Sequence, residues 1–269
     1  MDAAGLARST FFYHQQRLNV PDKHIDLKEA IVEVFTRTNR RYGYRRIHTQ
    51  LRQDGWNVNH KLVYKLMGKL GLKSKVRAKK KYNSFKGTVS HIAENVLDRC
   101  FTPDKPNTVW TNDVTEFRIA GTKVYLSPIM DLYDRSIVSY SVSTSPNTAF
   151  TSKSLKDAIT SQSPGSGLLV HTDQGIQYQH SSWRDLITSV DGIQSMSRKG
   201  NCYDNAVMEN FFGHLKSEMY HGESFDSLEH FRQALDDYIH WYNHERIQKR
   251  LKGLTPMQYR NQTLEPLTA

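Results

Sequence analysis

Between residues 109 and 216 the apolar pattern switches repeatedly between a period of two and a period of about 3.6. That alternation restricts the fold more than any other feature of the chain. The stretches 109–119 and 123–131 alternate in the manner of strands, with Ala120-Gly121 as the turn between them. Residues 137–142 read as a third strand, 168–171 as a short buried fourth and 193–196 as a fifth. Helical spacing marks 148–160 and 182–190. A last helix opens at Asn205, where Met208, Phe211, Phe212, Leu215 and Met219 recur along one face and Asp204 and Asn205 stand where an N-cap belongs. Three antiparallel strands followed by helix, strand, helix, strand and helix predict an α/β domain with a mixed five-stranded sheet over residues 106–222.

Carboxylates interrupt this pattern at informative places. Asp113 breaks the first strand after Trp110-Thr111-Asn112, and Asp173 follows the fourth in His171-Thr172-Asp173-Gln174-Gly175. The carboxyl ends of strands are where α/β sheets place their ligands. On the last helix, about 100° per residue brings Asn205, Glu209, Gly213 and Lys216 into one narrow stripe. Asp173 and Glu209 are separated by 35 residues. Three carboxylates from three elements suit phosphodiester chemistry with two divalent ions about 4 Å apart, in which no nucleophilic side chain is required. Mg²⁺ takes few protein carboxylates and shares the oxygens of its phosphate substrate.

Other acidic residues have simpler accounts. Strand alternation turns Glu116 to the sheet face opposite Asp113. Asp131 and Asp134 belong to a turn, and Asp204 to a helix start. His171 is either a substrate contact near Asp173 or a buried strand histidine.

The charge is unevenly placed: residues 1–100 hold 21 Lys and Arg against 8 Asp and Glu, and the remainder holds 16 against 19. A basic N-terminal part points to nucleic acid as its partner. After a stub over 1–24, Leu27, Ala30, Ile31, Val34 and Phe35 mark one amphipathic helix, and Tyr44, Ile47 and Leu51 mark a second that carries Arg45 and Arg46 outward. Asn59 caps a third, in which Leu62, Val63, Leu66, Met67 and Leu70 face inward and Lys61, Lys65 and Lys69 repeat every four residues. This all-α domain, 25–72, resembles a helix-turn-helix unit, whose third helix would lie against DNA. A basic linker, 73–105, continues the charge through Lys79, Lys80 and Lys81. A helical extension occupies 223–269, with Arg246, Lys249 and Arg250 as further candidates for DNA contact.

Cys100 and Cys202 form no metal-ligand pattern, and no apolar run approaches the roughly 18 residues of a membrane span. The default is a reduced cytoplasmic protein without a membrane partner.

Trp110-Thr-Asn-Asp113, His171-Thr-Asp173-Gln-Gly-Ile-Gln-Tyr178 and Asp204-Asn-Ala-Val-Met-Glu209-Asn-Phe-Phe-Gly-His-Leu-Lys216 resemble the Asp, Asp, 35, Glu signature of integrase-type transposases. With Tyr42-Gly-Tyr-Arg-Arg-Ile-His48 near the start and Tyr242-Asn243-His-Glu-Arg246 and Leu254-Thr-Pro256 near the end, they resemble the second-frame (OrfB) product of the third bacterial insertion-sequence family. The match runs over roughly residues 25–260. It implies a ribonuclease-H-like core related to retroviral integrases, with Asp113, Asp173 and Glu209 as catalytic, metal-holding residues and two Mg²⁺ or Mn²⁺ ions per site. It implies double-stranded DNA as partner, both the terminal inverted repeats of the element and the target, with 3′-end cleavage followed by strand transfer. It also implies a homo-oligomer assembled on DNA, association with the bacterial nucleoid, and an upstream-frame (OrfA) product as a further partner. The His/Cys zinc domain of retroviral integrases has no counterpart, since His14, His24 and Cys100 lack its spacing.

The reading is a metal-dependent transposase. Candidate DNA contacts are Arg45, Arg46, Lys61, Lys65, Lys69, Lys79, Lys80, Lys81, Arg198, Lys199 and Lys216. Its rivals are a non-catalytic regulator that occupies the element ends without cutting, and a plain metal-dependent nuclease.

Overall fold

The structure, a computed structural model, describes residues 7–18, 22–75, 92–198 and 202–264. The chain divides into two compact units, 1–74 and 75–269.

The first unit is helical: α1 (Arg8–Leu18), α2 (Ile25–Arg37), α3 (Tyr44–Gln53) and α4 (His60–Lys69). Helices α2, α3 and α4 pack on one another around Leu27, Ile31, Val34, Phe35, Ile47, Leu51, Val63, Leu66 and Met67. Gly55, at φ +91°, makes the left-handed turn between α3 and α4, where a side chain would be strained. Asn59 starts α4 by accepting a 2.8 Å hydrogen bond from the Lys61 amide, as its residue type predicts. Leu62 and Leu70 lie only partly inside.

The second unit is built on a mixed sheet of β1 (Val109–Asn112), β2 (Thr115–Ile119), β3 (Thr122–Asp131), β4 (Ile137–Ser143), β5 (Leu169–Thr172) and β6 (Ile193–Met196). β3 runs antiparallel to β1, β2 and β4; β1, β5 and β6 are parallel neighbours. Six strands fill five positions, because β1 and β2 follow each other along one edge of β3. Asn112 pairs with Ile129 and Thr115 with Leu126, so a single register continues across the gap. That register sets Asp113 opposite Pro128, which has no N–H to offer the ladder. The Asn112 side chain takes over, donating to the Pro128 carbonyl at 2.7 Å and to Ser127 Oγ at 2.9 Å. What the sequence pattern presents as one strand, 109–119, is therefore broken at Asp113-Val114.

Helices α5 (Thr148–Gln162), α6 (Ile176–Gln179) and α7 (Ser181–Thr188) accompany one face of this sheet, where Trp110, Ile129, Leu155, Val170, Tyr178, Trp183 and Ile187 form a core. α6 has no counterpart in the sequence pattern, because four residues are too few to show a period. On the other side lie α8 (Ala206–Leu215), a π-helical turn over Lys216–Tyr220, and α9 (Leu228–His244). Phe117 of β2 meets Tyr220 and Phe231 there at ring distances of 5.1 and 5.0 Å, and Phe211 meets Tyr242 at 5.1 Å. Strand parity gives Asp113 the side of Phe117 rather than that of Trp110, so it faces α8.

The C-terminal helices are stitched to the sheet by polar side chains. Asn243 bonds both the amide and the carbonyl of Ile137 at 2.9 Å. Arg260 of α10 (Pro256–Leu264) ion-pairs with the fully buried Asp131 and Asp134. No helix among the described residues is long and apolar enough to cross a membrane.

Candidate active site and DNA-facing surface

β1 and β5 pair Val109 with Leu169, Trp110 with Val170 and Thr111 with His171. Extending this register by two residues sets Asp113 level with Asp173, each one residue beyond the carboxyl end of its strand. Neighbouring strands lie about 5 Å apart, so the two carboxylates project from adjacent backbones into one space. Glu209 approaches from α8, and all three residues are half-buried.

Each aspartate is held by its own backbone. Asp113 Oδ1 accepts from the Val114 amide at 2.7 Å, and Asp173 Oδ1 from the Gly175 amide at 2.9 Å. Gly175 approaches so closely that a Cβ there would stand 2.9 Å from Asp173 Oδ1 and 2.4 Å from Gln177 Nε2. The second oxygen of Asp113 accepts from Asn205 Nδ2 at 2.8 Å. Burial, followed by the charge of Asp173, pushes the Asp113 carboxyl up to about 8; the bonds from Val114 and Asn205 oppose this, and Glu209 adds a smaller upward push. Burial also raises Asp173, against the Gly175 hydrogen bond. Tyr178, fully buried nearby, is raised well above the usual phenol range by burial and by these two carboxylates.

Two hard oxygen donors set side by side, with no cation compensating them among the described residues, match the donor set of a divalent ion. The grouping is partial: among the described residues, no three His, Cys, Asp or Glu side chains converge closely enough to hold a metal ion. Asp113 and Asp173 are brought together, and Glu209 is set outside that pair, with its charge reaching Asp113.

Several neighbouring residues differ from the sequence expectation. Asn205 occupies the N-cap position of α8, yet its side chain caps nothing. Asp204 is a buried hub instead of a helix start, accepting from Asn95 Nδ2, Arg99 Nε and the Arg198 amide at 3.0, 3.0 and 3.1 Å. His171 is the buried strand histidine: its ring nitrogens meet Ser195 Oγ at 2.9 Å and the Asp204 carbonyl at 3.1 Å, and burial drives its pKa down to about 4. Arg246 is not a DNA contact. It is buried in α9's wake against Glu218, donating at 2.9 and 2.8 Å, because Glu218 turns inward on the π-helical turn. Glu116 is exposed and paired with Lys123.

The basic candidates are distributed over both units. Lys61, Lys65 and Lys69 are exposed along α4, and Arg45 is exposed on α3 with its guanidinium 5.1 Å from the Tyr44 ring. Arg46 is half-buried, 5.6 Å from the Tyr42 ring. Arg198 is exposed and ion-paired with Asp98. Lys216, at the C-terminal end of α8, carries its ammonium 5.1 Å from the centre of the Phe117 ring. Lys79, Lys80, Lys81 and Lys199 lie outside the described residues.

Residues 103–202 and 209–264 match the integrase core domain, and residues 23–80 match an HTH-like domain. The putative transposase InsK for insertion sequence element IS150 of Escherichia coli is 44% identical over 264 residues, covering 98% of this chain and 93% of the relative. An uncharacterized transposase-like protein of Haemophilus influenzae is 46% identical over 207 residues, 77% of this chain and 95% of its own. Transposase InsF for insertion sequence IS3A of Escherichia coli is 33% identical over 243 residues, 90% of this chain and 84% of its own. Among solved structures, a chain of the simian T-cell lymphotropic virus intasome has the same fold, with a TM-score of 0.50 at 17% identity over 86% of this chain and 74% of that one. A ribonuclease-H-like sheet with this identity to insertion-sequence proteins over nearly its whole length belongs to the IS3-type insertion-sequence transposases, enzymes of the polynucleotidyl-transferase class.

Proposed function

We propose that Asp113, Asp173 and Glu209 act as one set that holds two Mg²⁺ or Mn²⁺ ions against a DNA phosphodiester. The observation that carries this is the level placement of Asp113 and Asp173 at the ends of adjacent parallel strands, with the charge of Glu209 reaching Asp113 from α8. When bound, such ions activate the attacking oxygen and stabilise the leaving oxygen. The chain's own part is to fix the carboxylates: the Val114 and Gly175 amides and the Asn205 side chain hold their oxygens in place.

In 3′-end cleavage a water oxygen bonds to phosphorus as the P–O3′ bond breaks, freeing a 3′-hydroxyl. In strand transfer that hydroxyl attacks a target phosphodiester, and the target's own 3′ oxygen leaves. Lys216, near the stripe of Glu209, offers a point charge for a phosphate beside the scissile bond. The first unit grips the terminal inverted repeats through Arg45, Arg46, Lys61, Lys65 and Lys69, and the basic linker with Lys79, Lys80 and Lys81 follows the phosphates. Arg198 and Lys199 are further proposed phosphate contacts. Target DNA, a homo-oligomer formed on the ends and an upstream-frame (OrfA) product complete the assembly.

Incubation with Mg²⁺, labelled duplex ends and a plasmid target tests the reading. Labelled ends covalently joined to the plasmid are the expected outcome. Fragments without joining would make the protein a nuclease, and retention of uncut ends would make it a regulator.

A further inference from the structure

The side chain of Asn205 is aimed where an N-cap residue would not aim it. Asn is among the strongest N-capping residues, and at this position its carbonyl oxygen ordinarily accepts from an amide of the first helical turn. Here it accepts from none, and its amide nitrogen donates to Asp113 Oδ2 at 2.8 Å. Toward an ionised, metal-holding Asp113 only this orientation is favourable, since the reverse would set a carbonyl oxygen against a carboxylate.

The turn that presents it is anchored on several sides. Asn205 ends a 3₁₀ turn, Cys202–Asn205, whose Asp204 is tied to Asn95, Arg99 and the Arg198 amide, and whose Asp204 carbonyl meets His171. His171 is in turn fixed by Ser195 of β6. This arrangement leaves Asn205 only 9% exposed, with its Oδ1 buried and unpaired among the described residues. Giving up a cap weakens a helix, and an unmatched buried acceptor adds to the cost. A side chain kept in this state by so many contacts serves the group it touches.

We infer that Asn205 is a positioning residue for the transfer reaction: it orients the Asp113 carboxylate from the α8 side while Val114 fixes the other oxygen. The inference rests on the reading of Asp113 as a metal-holding carboxylate. Residues that hydrogen-bond a metal ligand fix its orientation, and their loss weakens metal binding about 10- to 100-fold. In Asn205→Ala, Asp113 loses one of its two described restraints. In Asn205→Asp the shape stays, the donor is lost and a third negative charge stands beside the pair.

The experiment uses the full-length protein and Mn²⁺ alone as probe, measured by calorimetry without DNA, beside joining rates and melting temperatures. Asn205→Ala is expected to weaken Mn²⁺ binding roughly tenfold and to slow joining to match, with a melting temperature within a few degrees of wild type. Asn205→Asp is expected to join DNA more poorly than Asn205→Ala, whereas Asn205→Gln, which keeps the amide, recovers part of the loss. The control is Asp113→Asn. If that variant retains wild-type Mn²⁺ affinity and joining, the metal-site reading fails and this inference falls with it. If it loses both while Asn205→Ala and Asn205→Asp keep both, the inference alone is overturned. It is equally overturned if Asn205→Ala melts far lower with Mn²⁺ affinity unchanged, since Asn205 would then only support the fold.

Discussion

Asp113 and Asp173 stand level with each other, one residue past the ends of the parallel strands β1 and β5, and burial together with the charge of Asp173 raises the Asp113 carboxyl. Two unlinked stretches of sequence thus supply the two halves of one anionic site. The sheet register alone joins them, and the helix bearing Glu209 and Asn205 closes over the same side.

The raised Asp113 pKa makes the stability of the metal-free protein pH-dependent. Its folded value of about 8 lies above the roughly 3.9 of an unfolded aspartate, so the folded state holds a proton that the unfolded chain has released. Its stabilising contribution is complete below the unfolded value and is lost as pH rises through 8. Melting without divalent ions should fall steadily as pH rises toward 8 and level off above it, a trend read most cleanly from pH 7 upward, where folded His171 is neutral. Asp113→Asn should flatten that fall, and Mg²⁺ should raise the melting temperature more at pH 9 than at pH 7.

Replacing any one carboxylate should stop the chemistry while leaving the fold intact. Asp113→Asn, Asp173→Asn and Glu209→Gln are each expected to lower joining at least a thousandfold with little change in DNA retention. A double replacement should be no worse than a single one, because the residues act as a unit. Joining assays on purified variants check this, and a variant that joins at wild-type rate removes its residue from the set.

DNA affinity should depend on salt through α4. Lys61, Lys65 and Lys69 are exposed on one helix, and each phosphate neutralised adds about 0.9 to the slope of log affinity against log salt. Replacing all three by alanine should reduce the slope by roughly 2 to 3. Fluorescence anisotropy of the full chain on duplex ends, from low to moderate salt, measures it.

The ion pair of Glu218 with Arg246 should be a stability element. Both are buried, and Tyr238 Oη also donates to Glu218, at 2.8 Å. Arg246→Ala takes the guanidinium from a buried carboxylate and should cost about 3–5 kcal/mol. For a unit of this size that lowers the melting temperature by roughly 10 °C. The double variant Glu218→Met, Arg246→Leu should recover much of the loss. Thermal melting of the three proteins tests the pair.

Local pattern carried much of this protein. The apolar periods of the sequence mark β3 to within a residue and β6 without error, and they place the starts of α5 and α8 to within a residue. The signal is strong because each element buries one face, and burial imposes its period on the chain. The three carboxylates could be assigned to three elements from spacing alone. Tertiary structure decided what pattern cannot encode. The break at Asp113 depends on Pro128 lying opposite in the register, which becomes visible only when β3 is paired. Asn205 and Asp204 read as capping residues because capping is their commonest local use, and a competing partner 92 residues away, Asp113, took the Asn205 amide instead. Arg246 read as a surface cation until the π-helical turn rotated Glu218 inward to meet it. Residue type and period specify which face of an element is buried. Which two side chains meet across the core is settled by sheet register and helix packing, and both arise from contacts between residues far apart in the chain.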